Sequence, residues 1–181
     1  KDKIYDEKNN KLFVFFDTNL NVIGDIHSYG HDIEATWLID LACNTLGDED
    51  IINEWKNINL KISKNILKLA FENGAINNER ENDHIDKKRV WWVQAESIVG
   101  FINAYENSGD SKFLDAACDI WSFTLNYQID KRDGSEWWGE VDFEGNPMLT
   151  VEMAGPWKCP YHNGRMCLEV INRVNRMESS I

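Results

Sequence analysis

Hydrophobic residues recur at helical spacing in five segments of the chain. Within each segment the apolar positions lie three or four residues apart, as they do on one face of an amphipathic α-helix. A glycine follows each of the first three segments, at positions 47, 74 and 109, and glycine is the residue that most often ends a helix. The predicted helices cover residues 31–46, 49–72, 90–107, 111–127 and 161–176.

Short extended segments separate the helix pairs. Residues 12–16 (LFVFF) and 22–23 flank the turn DTNLN, and residues 137–142 (WWGEVD) and 149–151 flank FEGNP. Both patterns predict β-hairpins. Residues 74–88 occupy the equivalent place between the second and third helices, but they are too polar to predict a strand. The predicted order is hairpin, helix, helix, loop, helix, helix, hairpin, helix.

This repeating unit predicts a mainly α-helical toroid, in which helix pairs surround an axis and their loops fall on one side. Alternate helices would line the interior, with their N-terminal ends at one face. Histidine, tryptophan and glutamate residues, which can act in catalysis or binding, lie near the starts of these helices in the motifs SYGHDIE, RVWWVQAE and WKCPYHNGR. We therefore expect His31, Trp91, Trp92 and His162 to surround one cavity.

The composition argues against two classes of partner and suggests a third. The 181 residues include 19 Lys and Arg against 31 Asp and Glu, for a net charge of −12. This charge would repel a polyanionic backbone, so nucleic acid is not expected as a partner. No apolar run reaches the roughly 18 residues of a membrane span. Aromatic residues make up 12% of the chain, with 8 Trp, which is more than a small core needs and indicates a binding surface.

The four cysteines do not follow the pattern of a disulfide framework or a zinc site. Cys43 and Cys118 lie within predicted helices, and Cys159, His162 and Cys167 could be drawn as three metal ligands. No CxxC pair or second Cys/His cluster accompanies them, so core or loop thiols are favoured over zinc. The low cysteine density and the absence of a leader predict a cytoplasmic protein. Because the first residue is not Met, we expect the chain to begin within a longer protein.

Two histidines near the starts of predicted helices are candidate acid/base groups. His31 and Glu34 share a helix face, so the carboxylate could hold the imidazole in one tautomer while the helix dipole disfavours its protonation. An N-terminal surface cap is an equally good interpretation. His162 begins the last helix, where the dipole favours the neutral base, and a loop histidine beside a cap is the alternative. His27 and His84 have no predicted role.

Several tryptophans lie where they could face a sugar. Trp92 and Glu96 are four residues apart on one helix face, and Trp157 precedes the last helix. Indole rings stack on the C–H faces of sugars while carboxylates bind their hydroxyls. Core packing is the simpler explanation for any single tryptophan. A glycoside hydrolase with paired carboxylates is also compatible with the fold, with Glu34, Glu96 and Glu140 as candidates.

Four motifs in the chain resemble those of the cellobiose 2-epimerases within the N-acylglucosamine 2-epimerase superfamily. They are SYGHDIEATWL, RVWWVQAE, EWWGEV and GPWKCPYHNGR, and they run in order from Ser28 to Arg165. The last motif resembles the disaccharide epimerases rather than the N-acylglucosamine or monosaccharide branches. The resemblance implies an (α/α)6 barrel of twelve helices in roughly twice this length. Residues 1–181 would form a single domain, the C-terminal half of that barrel.

The resemblance also implies roles for individual residues. His31 and His162 would be the catalytic acid/base pair, and Glu34 would partner His31. Contacts with the sugar, or packing beside it, would come from Trp91, Trp92, Glu96 and Trp157. The implied family reaction inverts C2 of the reducing-end glucose of a β-1,4-linked disaccharide, cellobiose or lactose, to give mannose through an enediolate.

The resemblance implies no metal and no cofactor. The implied partners are the disaccharide and, over the cut face of the half-barrel, either the N-terminal half or a second copy of the chain. Two alternatives from other classes stay open at this point. One is a glycoside hydrolase on the same fold, and the other is a non-catalytic sugar-binding half-toroid.

Overall fold

Five α-helices make up most of the computed structural model, which describes residues 1–179. They are α1 Tyr29–Leu46, α2 Glu49–Leu69, α3 Trp91–Ser108, α4 Ser111–Phe123 and α5 Tyr161–Glu178. All five predicted helices are confirmed, and two of their ends differ clearly from prediction. The second helix ends early because the next residues turn back as a hairpin, and the fourth gives way to a π-helical turn over Thr124–Gln128.

The helix ends are fixed by residues that suit those positions. Asp48 and Asp110 cap α2 and α4 by accepting hydrogen bonds from backbone N–H groups of the first turn, which would otherwise lack partners. Gly47 and Gly109 end α1 and α3 with φ angles of 75° and 70°. That left-handed conformation is readily adopted only by glycine, so the two glycines stop the helices where the sequence predicts.

Short strands connect the helices within residues 1–179. They are β1 Tyr5–Asp6, β2 Lys11–Leu12, β3 Phe15–Phe16, β4 Val22–Ile23, β5 His27–Ser28, β6 Phe71–Glu72, β7 Ala75–Ile76, β8 Glu79–Glu81, β9 His84–Asp86, β10 Arg89–Val90 and β11 Glu140–Val141. Antiparallel pairs form between β1 and β2, β3 and β4, β6 and β7, and β10 and β11. A three-stranded sheet has the order β5, β8, β9.

The first predicted hairpin is confirmed, and the second is confirmed in part. Phe15 lies opposite Ile23 as expected. In the second, residues 146–148 turn back along β11 through two backbone hydrogen bonds and a bridge between Val141 and Pro147. The strand β11 also pairs with β10, where Val141 lies opposite Arg89, and the sequence did not predict this second partner. Residues 74–88 contain β7, β8 and β9, which the sequence did not reveal. The strands β8 and β9 are largely exposed, so they lack the alternation of a strand with one buried face.

Helix α3 lies at the centre of the fold. Thirteen of its 18 residues are buried, because α1, α2, α4 and α5 all pack against it. The helices α1, α3 and α5 lie side by side, while α2 packs on α1 and α4 packs on α3. This alternation of inner and outer helices is the arrangement predicted for part of a helical toroid, and it brings the N-terminal ends of the three inner helices to one face.

The outer side of α5 has no helix packed against it within residues 1–179. A groove of about 370 Å³ lies between α3, α4 and α5, and its lining is almost entirely apolar. Ile171 and Val174 of α5, which line this groove, are 56% and 42% exposed, which is unusual for apolar residues three apart on one helix face. No helix among the described residues has both the length and the hydropathy needed to cross a bilayer.

The crossing of α1 and α3 depends on Gly100. A Cβ atom at Gly100 would lie 2.5 Å from Cγ1 and 2.8 Å from the carbonyl oxygen of Ile33, and both helices are held by their other neighbours. We expect Gly100→Ala to reduce the free energy of unfolding by about 1–3 kcal/mol through overpacking, as measured by urea denaturation. Gly164→Ala is the matched control, since α5 leaves open space there and alanine favours a helix. Equal or greater stability of Gly100→Ala would contradict this account of the crossing.

Candidate active site

The two histidines that begin α1 and α5 lie against the same indole ring. The ring centroid of Trp92 is 4.8 Å from that of His31 and 5.5 Å from that of His162. Gly30 makes this possible, because a Cβ atom there would lie 2.5 Å from Cη2 of Trp92. His31, Trp92 and His162 therefore lie close together, as expected. The single cavity expected around them is not seen, because His31 lines one cleft and Trp91 and Trp92 line another.

A buried carboxylate holds the imidazole of His162. Nδ1 of His162 lies 2.7 Å from Oε1 of Glu96, and the other oxygen of Glu96 accepts a hydrogen bond from Nε1 of Trp37 at 3.0 Å. Glu96 is fully buried. Because a carboxylate only accepts, Nδ1 of neutral His162 carries the proton and Nε2 keeps its lone pair. Glu96, for which we expected a contact with sugar, has a protein partner on each carboxylate oxygen.

A hydroxyl group, rather than a carboxylate, contacts His31. Nδ1 of His31 lies 2.7 Å from Oγ of Ser28. A serine hydroxyl can donate or accept, so it supports either tautomer of His31. The expected pairing of Glu34 with His31 is not observed: Glu34 binds Arg165 and lies 3.9 Å from Nδ1 of His162. The charge of Arg165 determines where the Glu34 carboxylate lies, although Glu34 shares a helix face with His31.

Arg165 is the site residue that sequence reasoning missed. Nη2 of Arg165 donates to Oε1 of Glu34 and, at 2.7 Å, to Oε1 of Glu96. Burial lowers the pKa of this guanidinium, but hydrogen bonds and charges from Glu96 and Glu34 outweigh that effect and raise it. The available signal was spacing, because Arg165 is three residues after His162 and therefore on the same face of α5.

Glu34, Glu96 and His162 are also the residues to consider as ligands for a metal ion. Ligand atoms of Glu34, Glu96 and His162 lie within 4.8 Å of one another, and they form the one such cluster found among residues 1–179. The guanidinium of Arg165 already compensates both carboxylates, so the donor set does not fit a divalent cation well. Cys159 and Cys167, the other ligands considered, have free and exposed thiols.

The tryptophans occupy three different environments. Trp91 is buried and lies with its ring 5.4 Å from that of His162, edge to face. Trp92 is half-buried between the imidazoles, and Trp157 is 94% exposed. All three line a cleft of about 260 Å³, and His31 and Glu34 line a second cleft of about 420 Å³. Each is close to the size of a small-ligand pocket, about 300–1,000 Å³.

Two side-chain contacts fix the segments around the site. His27, for which no role was predicted, is buried with Nε2 at 2.8 Å from Oδ2 of Asp32, and Asp32 also accepts from the backbone N–H of Leu12. Burial raises the pKa of the Asp32 carboxyl, with His27 opposing it. On the other side, Lys158 binds Glu136 and lies 4.7 Å from the ring of Trp91. His84 is exposed.

The chain is similar to sugar epimerases in sequence and in structure. Residues 2–164 match the family model of the N-acylglucosamine 2-epimerases. The cellobiose 2-epimerase of Ruminococcus albus is 60% identical over 96% of this chain and 44% of its own length, and that of Dictyoglomus turgidum is 52% identical over the same shares.

Solved structures give the same result. A sugar epimerase from a ruminal bacterium is 60% identical over 95% of this chain and 44% of that chain, with a TM-score of 0.94. The cellobiose 2-epimerase of Bacillus thermoamylovorans is 47% identical over 94% of this chain and 44% of that chain, with a TM-score of 0.90. A D-mannose isomerase, at 19% identity and a TM-score of 0.73, shows the fold alone. The chain spans less than half the length of the relatives it matches.

The hydrogen bonds specify the tautomer of His162 and allow either tautomer of His31. We expect neutral His162 to carry its proton on Nδ1, because Glu96 accepts there. Two-dimensional ¹H–¹⁵N spectra of the imidazole rings measure this directly. Glu96→Gln should weaken the preference, since an amide oxygen is a poorer acceptor than a carboxylate, while His84 serves as the exposed reference ring. A dominant Nε2–H form of His162 in the unaltered protein would contradict the assignment.

Proposed function

The chain belongs to the N-acylglucosamine 2-epimerase family, and we propose that it supplies the catalytic histidines of an enzyme that epimerises disaccharides. The substrate in this proposal is a β-1,4-linked disaccharide such as cellobiose or lactose, whose reducing-end glucose becomes mannose. The observation that carries it is the placement of His31 and His162 against the single ring of Trp92. The close relatives named as cellobiose 2-epimerases support the choice of substrate.

The proposed reaction consists of two proton transfers at C2. In the open-chain sugar the C1 carbonyl acidifies the C2 hydrogen. Nε2 of neutral His162 has a free lone pair and removes that proton, which leaves an enediolate. His31 then protonates C2 from the opposite face. Two groups are needed because one fixed base returns the proton to the face from which it came, and imidazole can both take and give a proton near neutral pH.

The surrounding residues fit supporting roles in this scheme. Glu96 keeps the proton of His162 on Nδ1, and the hydroxyl of Ser28 lets His31 change tautomer as it donates and is recharged. Trp92 and the exposed Trp157 offer ring faces on which the sugar units can stack. Both chemical steps are proton transfers, so the scheme uses protein side chains alone. The four free thiols agree with action in a reducing compartment such as the cytoplasm.

The test uses a complete barrel. In a chimera, this chain replaces the matching 44% of the Ruminococcus albus enzyme, and turnover of cellobiose is followed in D2O. We expect epimerised product of unchanged composition with deuterium at C2 of the mannose unit. His31→Asn and His162→Asn should each lower the rate by at least about 10³-fold, while His84→Asn, at an exposed position, should not.

Other outcomes identify other functions. Product without deuterium would point to hydride transfer and contradict the two-histidine scheme. Release of glucose would indicate a glycoside hydrolase, although Glu34 and Glu96 are both bound to Arg165 rather than free as acid and nucleophile. Binding of cellobiose without exchange at C2 would indicate a non-catalytic sugar-binding module.

We further propose that the apolar groove beside α5 is covered by the remaining helices of the same barrel. Two observations support this occupant. More than half of each matched chain lies beyond the part that this chain covers. The exposed apolar positions of α5 also lie in one groove with apolar residues of α3 and α4. A second copy of the chain is the alternative occupant.

Complementation between two separate chains tests this occupant. The remaining part of the Ruminococcus albus enzyme is produced separately and titrated with this chain, and association is measured by light scattering. Ile171→Asp should weaken the one-to-one complex at least about tenfold, since a charge would enter an apolar interface. Leu20→Asp is the matched control, because Leu20 is also 56% exposed but lies in the β3–β4 turn. A stable homodimer that excludes the second chain would contradict the proposal.

A further inference from the structure

We propose that Arg165 is a positioning residue for His162, which it serves by holding the carboxylates of Glu34 and Glu96 together. This inference rests on the proposed function for its kinetic consequences, but its geometric content can be tested separately. Arg165 itself need not contact the sugar. It acts through Glu96, the group that binds Nδ1 of His162.

The contact geometry centres on one oxygen atom. Oε1 of Glu96 accepts from Nη2 of Arg165 and from Nδ1 of His162, each at 2.7 Å. The same Nη2 also donates to Oε1 of Glu34. Arg165 and His162 therefore share an acceptor, and Nη2 lies 3.5 Å from Nδ1 of His162. Any movement of the guanidinium moves the carboxylate that orients the imidazole.

Aromatic rings on two elements hold the guanidinium in place. Its central carbon lies 4.9 Å from the ring of Trp37 on α1 and 4.5 Å from that of Tyr161 on α5. Nη1 donates to Oη of Tyr161 at 2.5 Å. Stacking of this kind suits the planar arginine head and not the compact ammonium of lysine. The positive charge is thus fixed relative to both inner helices.

The charges around His162 explain why this position matters. The charged or titratable groups in contact with it are Glu34 from α1, Glu96 from α3, and Tyr161 and Arg165 from α5. Glu96 has no exposure to solvent, so water cannot screen its repulsion from Glu34. Without the arginine, the repulsion between the two carboxylates pushes them apart. This movement displaces the acceptor at Nδ1 of His162.

A matched control lies on the same helix. Arg173 is two turns after Arg165 on α5 and is also buried between carboxylates, where it binds Glu106 and, at 3.3 Å, Glu169. It also donates to Asn103 of α3 at 3.1 Å. No histidine contact of Arg173 is found within residues 1–179. Replacing Arg173 therefore removes a comparable ion-pair network between α5 and α3, and it removes no contact of His162.

The experiment compares Arg165→Met, Arg165→Lys and Arg173→Met in the chimera with the Ruminococcus albus enzyme. For Arg165→Met we expect kcat on cellobiose to fall about 10²-fold, because the imidazole is misplaced, while KM changes by less than about threefold. Arg165→Lys should recover part of kcat, because it restores the charge without the fork.

The tautomer of His162 supplies a readout that does not depend on catalysis. In ¹H–¹⁵N spectra, Arg165→Met should reduce the population with the proton on Nδ1 of His162, whereas Arg173→Met should lower stability and leave that population unchanged. An inactive chimera in which the Arg165 variant still shifts the tautomer would support the inference and contradict the proposed function. If Arg165→Met does not fold, Arg165→Lys provides the same comparison. A tautomer population and a kcat that match those of Arg173→Met would overturn the inference.

Discussion

The buried carboxylate of Glu96 is the interaction on which the rest of the site depends. It accepts hydrogen bonds from Trp37 on α1 and from His162 and Arg165 on α5, while its own backbone lies in α3. Three helices far apart in the chain are therefore joined at one charged group with no access to water. A buried charge is tolerated only when it is fully paired, so the positions of these helices and the orientation of His162 are determined together.

Close packing around that carboxylate then determines where the second imidazole lies. Gly30 and Gly100 allow α1 to approach α3 more closely than a Cβ atom would permit. This approach places His31 on the ring of Trp92 and beside an open cleft. The two imidazoles differ in what holds them: His162 faces a carboxylate, and His31 faces a hydroxyl that can reverse its hydrogen bond.

Local patterns in the sequence predicted the helices and their convergence, and they could not predict the partners of individual polar groups. Helical periodicity and the glycines at positions 47 and 109 identify the helix ends, and the motifs at the helix starts place the imidazoles and Trp92 at one face. The pairing of Glu34 with Arg165 spans 131 residues, so no spacing rule reveals it. The same holds for β11, whose partner Arg89–Val90 lies about fifty residues away, whereas the first hairpin joins adjacent strands and was predicted correctly. His27 is buried because Asp32 binds it while also accepting from the backbone N–H of Leu12. The polar sequence around His27 does not predict this burial.

A crystal structure of the barrel with a bound open-chain analogue, the alditol obtained by reducing cellobiose, tests the central claim most directly. The measured quantities are the distances from C2 of the alditol to Nε2 of His31 and to Nε2 of His162. The account requires both imidazoles to lie within reach of C2 on opposite faces of the carbon chain, with Trp92 beside them. An alditol with both imidazoles on one face of C2, or with either ring turned away from the cleft, would contradict it.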